Sequence, residues 1–510
     1  MAENVNERPR FRTEVELTAF CLSGGGAWLS EAMRAGEDPL GDAFSSIRSP
    51  GQRRAAGATY TPARIVTAMT GLAKRDSPDV MRVVDCGAGS GRFSIAFANA
   101  YSDAQVVAVE SDPLACSVLR KNLSAAGLRE RVTVVEGDFL DLELPRIEGQ
   151  TLFAGNPPYV RHHDIDPGRK AWLTRTAGEL GLRASGLCGL HVYFFLKIAS
   201  IAREGDAGIL ITSSEWLETS YGRVVRELLA GRLGGTRIHA VDPQTRLFAD
   251  AQVTSAITSF RVGVRSGPVL LSRIRDMEDI ADAAVDAEIP RNSDAGRSWL
   301  DRGAASLPPD MARIGEFFSV SRGQVTGGNS VWIAGKDTPE LPERYLVPCV
   351  TKAADLISAG PALTDTSALR RVVVLPPDLA AVREDERAAV AAFLAWAEER
   401  GGRDSFTARS RKSWWHVPFK AAAPILCTYM GRRPPVFVRN TANVPHVNIA
   451  HGLYPRRPME AEDLDAVARW LADHPATVGG RTYGGGLRKF EPREIESLAL
   501  PRGLFDPPTA

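Results

Sequence analysis

Short apolar segments rich in β-branched residues alternate with helix-like segments between residues 60 and 260. This alternation predicts a largely parallel β-sheet covered by helices. The seven apolar segments are, in chain order, MRVVDC, QVVAVE, RVTVVE, TLFAGN, GILIT, RIHAVD and VTSAITSFRV. The first 50 residues show no clear period, and we expect a helical or loosely structured extension there.

A second pattern begins after a spacer of small, polar and proline residues between Ala281 and Pro309, a composition typical of a connection between domains. Beyond it, the short strands RVVVLPP, PVFVRN and HVNIAHG accompany amphipathic helices at 384–399 and 461–473. This mixture predicts a separate α+β domain. The predicted division is therefore an extension at 1–50, a first domain at 51–300 and a second domain at 301–510.

Composition limits the class of protein without identifying a partner. The 510 residues are 44% hydrophobic and 24% charged, with a net charge of +1, which is typical of a globular protein. The longest apolar stretch is far shorter than the roughly 20 residues of a membrane helix, and the N-terminus lacks a secretory pattern. We therefore expect a cytoplasmic protein with no membrane contact. The six cysteines form no C-x-x-C pair, which argues against a zinc site and a disulfide framework.

The first apolar strand is followed by a glycine-rich segment, DCGAGSG, that begins at Asp85 and opens a helix. Its glycines, Gly87, Gly89 and Gly91, allow a tight turn and a close approach of the backbone to a ligand. Arg92 occupies the position at which a dinucleotide fingerprint requires glycine or alanine. The segment therefore favours a nucleoside ligand without a pyrophosphate.

The next two strands also end in residues suited to a nucleoside. Glu110, at the end of the second strand, can accept hydrogen bonds from both ribose hydroxyls. Asp138, after the third strand, can accept from an adenine amino group, while Phe139 covers the ring. Ligands bind at the carboxyl ends of strands in open α/β sheets, so these residues together predict one cofactor site.

The fourth apolar segment ends in the motif Asn156-Pro157-Pro158-Tyr159. Each proline lacks a backbone donor and biases the preceding residue to an extended conformation, so we expect a stiff loop. The side-chain oxygen of Asn156 and the carbonyl of Pro157 can both accept from one amino group, which localises its lone pair for attack on a sulfonium methyl. Tyr159 offers an aromatic face for a flipped-out base. The motif therefore predicts methyl transfer to a planar amino group.

The order of these motifs resembles the adenine-N6 methyltransferases of DNA, in the group with cofactor motifs first and target recognition at the C-terminus. The resemblance implies a class I S-adenosylmethionine-dependent fold, Rossmann-like, with a mostly parallel seven-stranded sheet. It implies S-adenosyl-L-methionine as the cofactor, with Tyr60, Thr61 and Pro62 closing over its methionine part. By position, it also implies that Phe248 packs on the target base beside Tyr159.

The region from Ser405 to Met459 contains no acidic residue, which the near-neutral total charge conceals. Its cations can neutralise phosphates, and its arginine and asparagine side chains can read base edges. The segments VSRGQVTGGNSVW and NVPHVNIAHGLYP also resemble recognition-domain segments of restriction-type adenine methylases, which favours double-stranded DNA as the partner. The predicted DNA contacts are Arg409, Arg411, Lys412, Lys420, Arg432, Arg433 and Arg439.

Other acceptors remain open from the residues alone. A protein glutamine carries the same planar amide, although glutamine methyltransferases are generally compact, and a cytosine N4 or RNA amino group would also fit. A DNA-binding module with an inactive fold is disfavoured because each catalytic position retains competent chemistry. The chain has neither a (D/E)-x-K pattern nor a P-loop, so a restriction endonuclease would be a separate polypeptide. We predict a monomeric, site-specific adenine methyltransferase of a restriction-modification system.

Overall fold

A computed structural model divides the chain into two compact units, Met1–Ala305 and Ser306–Ala510. The residues that the structure describes are 8–23, 26–49, 51–52, 61–242, 254–274, 280–300, 307–474, 481–483 and 487–505. Within these ranges, no helix is long and apolar enough to cross a membrane. Each unit has its own sheet and its own hydrophobic core.

A nine-stranded sheet forms the centre of the first unit. Its strands are Val80–Asp85 (β1), Gln105–Glu110 (β2), Val132–Glu136 (β3), Gln150–Gly155 (β4), Ala207–Ser213 (β5), Gly235–Val241 (β6), Ser255–Arg261 (β7), Val269–Ile274 (β8) and Ala287–Ile289 (β9). Their order is β3-β2-β1-β4-β5-β7-β6-β8-β9. The strands β1 to β5 pair in parallel, whereas β7 runs antiparallel to both neighbours. The predicted α/β class with a mostly parallel sheet is confirmed, and β8 and β9 extend the seven predicted strands to nine.

Helices cover this sheet and explain the apolar character of its strands. They are Ala63–Asp76 (α4), Arg92–Ala100 (α5), Pro113–Ala125 (α6), Pro167–Glu179 (α7), Leu190–Ile201 (α8) and Arg223–Ala230 (α9). Every residue of β5 is buried, as expected for a central strand covered on both faces. The start of α6 combines Pro113 at its first turn with Asp112 as N-cap, whose side chain accepts from the backbone of Leu114 and Ala115.

Among the described residues, three helices precede α4 and belong to the first unit: Glu14–Leu22 (α1), Ala27–Arg34 (α2) and Pro39–Ile47 (α3). Their buried leucines, Leu17, Leu29 and Leu40, pack with Val118 of α6 in one apolar cluster. Each of these four side chains is 0% exposed. The N-terminal residues therefore fold against the sheet domain through a hydrophobic contact that no local pattern in the sequence announced.

The second unit contains a five-stranded sheet in the order β11-β18-β15-β17-β13 and three smaller sheets. Its strands are Met311–Arg313 (β10), Phe318–Arg322 (β11), Leu346–Pro348 (β12), Ala362–Leu363 (β13), Arg371–Val373 (β14), Ile425–Thr428 (β15), Met430–Gly431 (β16), Phe437–Asn440 (β17), Ala450–Pro455 (β18), Arg481–Tyr483 (β19), Leu487–Lys489 (β20) and Ala499–Pro501 (β21). The predicted mixture of short strands and helices is present here.

The helices of the second unit are mostly short. They are Ile314–Phe317 (α10), Asn329–Trp332 (α11), Ala353–Ala359 (α12), Arg387–Glu399 (α13), Phe406–Arg409 (α14), Ala461–Asp473 (α15) and Pro492–Glu496 (α16). The two longest, α13 and α15, lie where the amphipathic pattern predicted helices. Both bury their apolar faces, α13 through Phe393 and α15 through Val467 and Leu471.

Replacement of Leu29 by alanine should destabilise the whole first unit, because it opens a cavity between α2 and α6. We expect the free energy of unfolding to fall by about 2–5 kcal/mol, the usual cost of removing a buried leucine side chain. Urea denaturation of Leu29→Ala measures this loss. The matched control is Leu22→Ala on α1, where the side chain is 79% exposed. Equal stability of Leu29→Ala and wild type would contradict the packing of these helices.

Candidate cofactor and catalytic site

The glycine-rich segment connects the end of β1 to the start of α5 by a left-handed turn. Gly89 and Gly91 have φ values of 53° and 97°, which favour glycine. A Cβ on Gly91 would also lie 2.5 Å from Cδ1 of Leu119 on α6. Gly91 therefore acts by permitting the turn and the packing of α6, whereas Gly87 and Gly89 face the cavity described below.

Asp85 lies behind this turn and is 0% exposed. Its carboxylate accepts from the Ser94 hydroxyl at 2.6 Å and from the Gly87 backbone. Burial raises the pKa of Asp85 from 3.8 to about 6, an effect that the hydrogen bonds oppose. Gly155, at the end of β4, has a φ of 128° and leaves room for this carboxylate. The structure thus places Asp85 as the internal support of the glycine turn and not as a lining residue.

A cavity of about 430 Å³ opens at the carboxyl ends of β1, β2, β3 and β4. Glu110 lines it, and its two carboxylate oxygens accept from the backbone N–H groups of Gly89 and Asp112, both at 2.8 Å. The acid therefore joins the glycine turn to the start of α6. Of the predicted cofactor residues, the structure brings together in this cavity Thr61, Gly87, Gly89, Glu110, Asp138 and Phe139.

The third strand end contributes a carboxylate and an aromatic face. Asp138 caps a short 3-10 helix by accepting from the backbone of Leu140 at 2.9 Å. Its second oxygen accepts from Nη2 of Arg169 at 2.7 Å, an ion pair that the sequence did not indicate. The ring of Phe139 is buried and stacks on Phe194 of α8 with centroids 5.0 Å apart. These aromatic rings form an apolar wall beside the carboxylate.

The Asn156-Pro157-Pro158-Tyr159 loop leaves β4 at the rim of the same cavity, which Asn156 and Pro158 line. The amide nitrogen Nδ2 of Asn156 donates to Oγ1 of Thr61 at 3.0 Å. Pro157 is buried, and the backbone of Leu190 donates to the carbonyl of Val160 at 3.0 Å. The loop is thus held on one side by residue 61 and on the other by α8.

The ring of Tyr159 is half-buried, while its hydroxyl is buried close to Ser255, the first residue of β7. Burial raises the pKa of the Tyr159 phenol above its usual value. The hydroxyl is therefore an anchor, and the ring is the part available for stacking. Phe248 and Tyr60, the other predicted residues of this region, lie outside the described residues.

The N-terminal helices supply cavity residues that sequence reasoning missed. Phe44 and Arg48 both line the cavity, with the guanidinium carbon of Arg48 4.3 Å from the ring centroid of Phe44. Arg48 also forms ion pairs with Asp112 and Glu14. No motif marks these positions, because their role depends on contacts with α6, more than 60 residues later in the chain.

In the second unit, the predicted basic residues separate into two groups. Arg409, Lys412, Lys420, Arg432 and Arg433 are exposed. Lys420 is within 3.3 Å of the Ser321 hydroxyl. Segment 320–327 therefore lies beside part of the region without acidic residues, 405–459, which we call the acid-free region. Val325 of this segment is 38% exposed. Phe406, at the start of α14, is 84% exposed.

Two arginines of the predicted set have internal partners instead. Arg439 is only 14% exposed and pairs with Asp465 at 2.8 Å, while it also donates to the carbonyl of Pro424. Arg411 is half-buried and donates to the carbonyl of Val325 at 2.7 Å. Arg439 therefore makes a structural contact between β17 and α15, and its interaction with DNA stays a prediction.

The tryptophans of the acid-free region also pack against the core of the second unit. Trp414 and Trp415 pack against the cluster that contains Trp332 and Phe393. The indole of Trp415 donates to the carbonyl of Pro376 at 3.0 Å. Their spacing among the cations reflects packing of the second unit, and the exposed aromatic of this region is Phe406.

Three protein-family models match the chain. Residues 304–507 match the C-terminal domain of the type II methyltransferase M.Eco57I. Residues 149–242 match the Eco57I restriction-modification methylase family, and residues 83–167 match a general methyltransferase domain. The two methyltransferase matches therefore fall in the first unit, and the match to the C-terminal domain corresponds to the second unit.

Curated relatives extend the likeness over nearly the whole chain. The type II methyltransferase M.XamI of Xanthomonas campestris pv. amaranthicola is 47% identical over 468 residues, covering 91% of this chain and 87% of that protein. The type II methyltransferase M.AccI of Acinetobacter calcoaceticus is 23% identical over 382 residues, covering 70% of each. Among solved structures, a cryo-EM structure of a DrdV–DNA complex is similar over 83% of this chain and 51% of that chain. The TM-score is 0.50 at 12% identity, a likeness of fold.

Replacement of Asp85 by asparagine should change how stability depends on pH. Because burial raises the pKa of this carboxyl from 3.8 to about 6, the folded protein holds its proton more tightly than the unfolded chain does. Its contribution to stability therefore falls as the pH rises from about 4 to about 6, by roughly 3 kcal/mol. Urea denaturation across this range should show that Asp85→Asn lacks the decline.

The control for this measurement is Asp79→Asn, since Asp79 is exposed and precedes the same strand. It should keep the pH dependence of the wild type. If Asp85→Asn and wild type lost stability in parallel over the same range, the buried carboxyl would not be the group responsible.

Proposed function

The chain belongs to the type II DNA methyltransferases of restriction-modification systems, and we propose that it methylates the N6 amino group of adenine in double-stranded DNA. S-adenosyl-L-methionine is the cofactor. The observation that carries the proposal is the position of Asn156 and Pro158 at the rim of a cavity that six of the predicted cofactor residues also line. A methyl donor in that cavity and an amino group held by Asn156 would therefore meet at one point.

The cavity residues fit this cofactor. The volume of the cavity, about 430 Å³, lies within the roughly 300–1,000 Å³ of small-molecule sites. Glu110 would hold the ribose hydroxyls, while Asp138 and Phe139 would hold the adenine, with the glycine turn beneath. When bound, the cofactor supplies an electrophilic methyl group on sulfur. Thr61, which lines the cavity beside Asn156, would border the methionine part, whereas Pro62 does not line it.

The protein's part in the reaction is to present the amino group as a nucleophile. The Asn156 side-chain oxygen and the Pro157 carbonyl would accept its two hydrogens, which draws the nitrogen toward tetrahedral geometry. Held in this way, the nitrogen lone pair would attack the methyl carbon that the cofactor supplies as its bond to sulfur breaks, and the nitrogen would afterwards lose one proton to water. The half-buried ring of Tyr159, anchored through its hydroxyl, would stack on the extruded base. Phe248 is proposed as its second stacking partner.

Adenine in duplex DNA is favoured over a protein glutamine by the second unit. Its exposed cations, Arg409, Lys412, Lys420, Arg432 and Arg433, suit a phosphate backbone. The exposed Phe406 offers an apolar contact of the kind made with a thymine methyl or a base step. We therefore propose residues 301–510 as the target recognition domain and residues 51–300 as the catalytic domain.

The same proposal extends to the cellular setting. The enzyme would act as a monomer in the cytoplasm, where the DNA is, and would modify its site without cutting it. Any cognate restriction endonuclease would be a separate polypeptide that shares the recognition sequence.

Transfer of a labelled methyl group tests the reaction and the role of Asn156 together. Incubation with duplex DNA, followed by nucleoside analysis, should place the label in N6-methyladenine. Asn156→Ala should lower kcat by at least about a hundredfold, since one of two stabilising acceptors is lost, while calorimetry should show cofactor binding largely intact. Label found only in N4-methylcytosine, RNA or protein would refute adenine in DNA, and wild-type turnover by Asn156→Ala would refute the mechanism.

Removal of single exposed cations tests the DNA surface. Lys412→Ala and Lys420→Ala should each weaken DNA binding and reduce the slope of log affinity against log salt by about one, as expected for one lost phosphate contact. The matched control is Arg469→Ala, an exposed cation on α15 outside the acid-free region. Arg439→Ala should instead lower the melting temperature, because it breaks the pair with Asp465. An unchanged salt slope in both lysine variants would show that DNA binds to a surface that does not include Lys412 and Lys420.

A further inference from the structure

Asp38 is a buried carboxylate in the N-terminal helices, 8% exposed, with four donors from three parts of the chain. As the N-cap of α3 it accepts from the backbone of Gly41 at 2.9 Å. It also accepts from Nδ2 of Asn122 on α6 at 2.9 Å, from Nε of Arg92 at 2.8 Å and from the hydroxyl of Ser90. An N-cap needs the first of these contacts only, so the other three indicate a further role.

Two of the donors to Asp38, Ser90 and Arg92, belong to the glycine turn of the cofactor site or follow it directly. Ser90 lies between Gly89 and Gly91, and Arg92 is the first residue of α5. The bond to Arg92 joins two opposite charges in a mostly buried setting, where charge-assisted hydrogen bonds are roughly twice as strong as neutral ones. Asp38 thus fixes both the side chain within the glycine turn and the residue that follows it.

The guanidinium of Arg92 also connects to the catalytic loop, through Thr61. Nη1 of Arg92 donates to the backbone carbonyl of Thr61 at 2.9 Å. Thr61 is 4% exposed, and its hydroxyl oxygen accepts from Nδ2 of Asn156 at 3.0 Å. In this bond the nitrogen end of the Asn156 amide points at Thr61, so its oxygen end lies on the other side of the amide.

We propose that Asp38, Arg92 and Thr61 are positioning residues that act in series on the catalytic amide of Asn156. Through Ser90, Asp38 positions the glycine turn as well. One carboxylate from the N-terminal helices therefore sets the geometry of both the cofactor site and the residue that holds the acceptor amino group. The inference rests on the proposed function in one respect only: it takes Asn156 as the residue that holds the acceptor amino group.

The first test changes the link nearest to the reaction. Thr61→Val keeps the shape of the side chain and removes the acceptor for Asn156, whereas Thr61→Ser keeps the acceptor and removes a methyl group. We expect Thr61→Val to lower kcat by about tenfold to a hundredfold, the scale of losses from displaced catalytic groups. Thr61→Ser should retain most of the activity, and calorimetry should show similar cofactor affinities for the two variants, so that the difference in their kcat values reports the loss of the bond to Asn156.

The second test changes the far end of the series. Asp38→Asn preserves volume and the cap but loses the buried one of the two carboxylates that pair with Arg92, the other being the exposed Asp42. It should raise the dissociation constant of S-adenosyl-L-methionine, measured by calorimetry without DNA, and lower kcat, each by about tenfold. The matched control is Glu37→Gln, since Glu37 is exposed and pairs with Arg8 at the surface. It should leave both constants unchanged.

The outcomes separate a positioning role from a purely structural one. A lower melting temperature in Asp38→Asn with normal cofactor affinity and normal kcat per folded molecule would overturn the inference, and so would equal losses in Thr61→Val and Thr61→Ser. All ratios are taken against wild type on whichever amino acceptor it methylates. Transfer to an acceptor other than adenine would therefore refute the proposed function and leave the positioning role to be judged on its own.

Discussion

The parallel pairing of β1 with both β2 and β4 is the constraint on which the site depends. In this register Asp85 lies opposite Ala108 on one side and Ala154 on the other. The residues just beyond those partners, Glu110 and Asn156, must then leave the sheet at the same edge. Side chains that are far apart in the chain share one cavity because three parallel strands end together. The glycine turn after Asp85 fills the space between them.

The strand-end residues could be predicted from the sequence because each follows its strand directly. The apolar segments before Glu110, Asp138 and Asn156 predict strands, and a parallel sheet brings the carboxyl ends of those strands together. The contacts that hold these residues were not predictable in the same way. The bond between Thr61 and Asn156 joins side chains 95 positions apart, and nothing in either segment specifies the other.

Composition was a weaker guide in the second unit than motifs were in the first. A long stretch without acidic residues led us to predict that seven of its cations contact DNA, yet an ion pair can be completed by a carboxylate outside the stretch. Arg439 finds such a partner in Asp465, and Trp414 and Trp415 belong to the core. The exposed Phe406 was not singled out, because exposure of a single aromatic side chain depends on how the unit folds around it.

The N-terminal helices also bear on how the protein is made. As the chain emerges from the ribosome, α1, α2 and α3 appear before the sheet, while their apolar partner α6 ends only at residue 125. Until then Leu17, Leu29 and Leu40 have no folded surface to cover them, and the carboxylate of Asp38 lacks the donors of Ser90, Arg92 and Asn122. These helices therefore reach their native contacts only after α6 has been synthesised, and their leucines are exposed to aggregation over that interval.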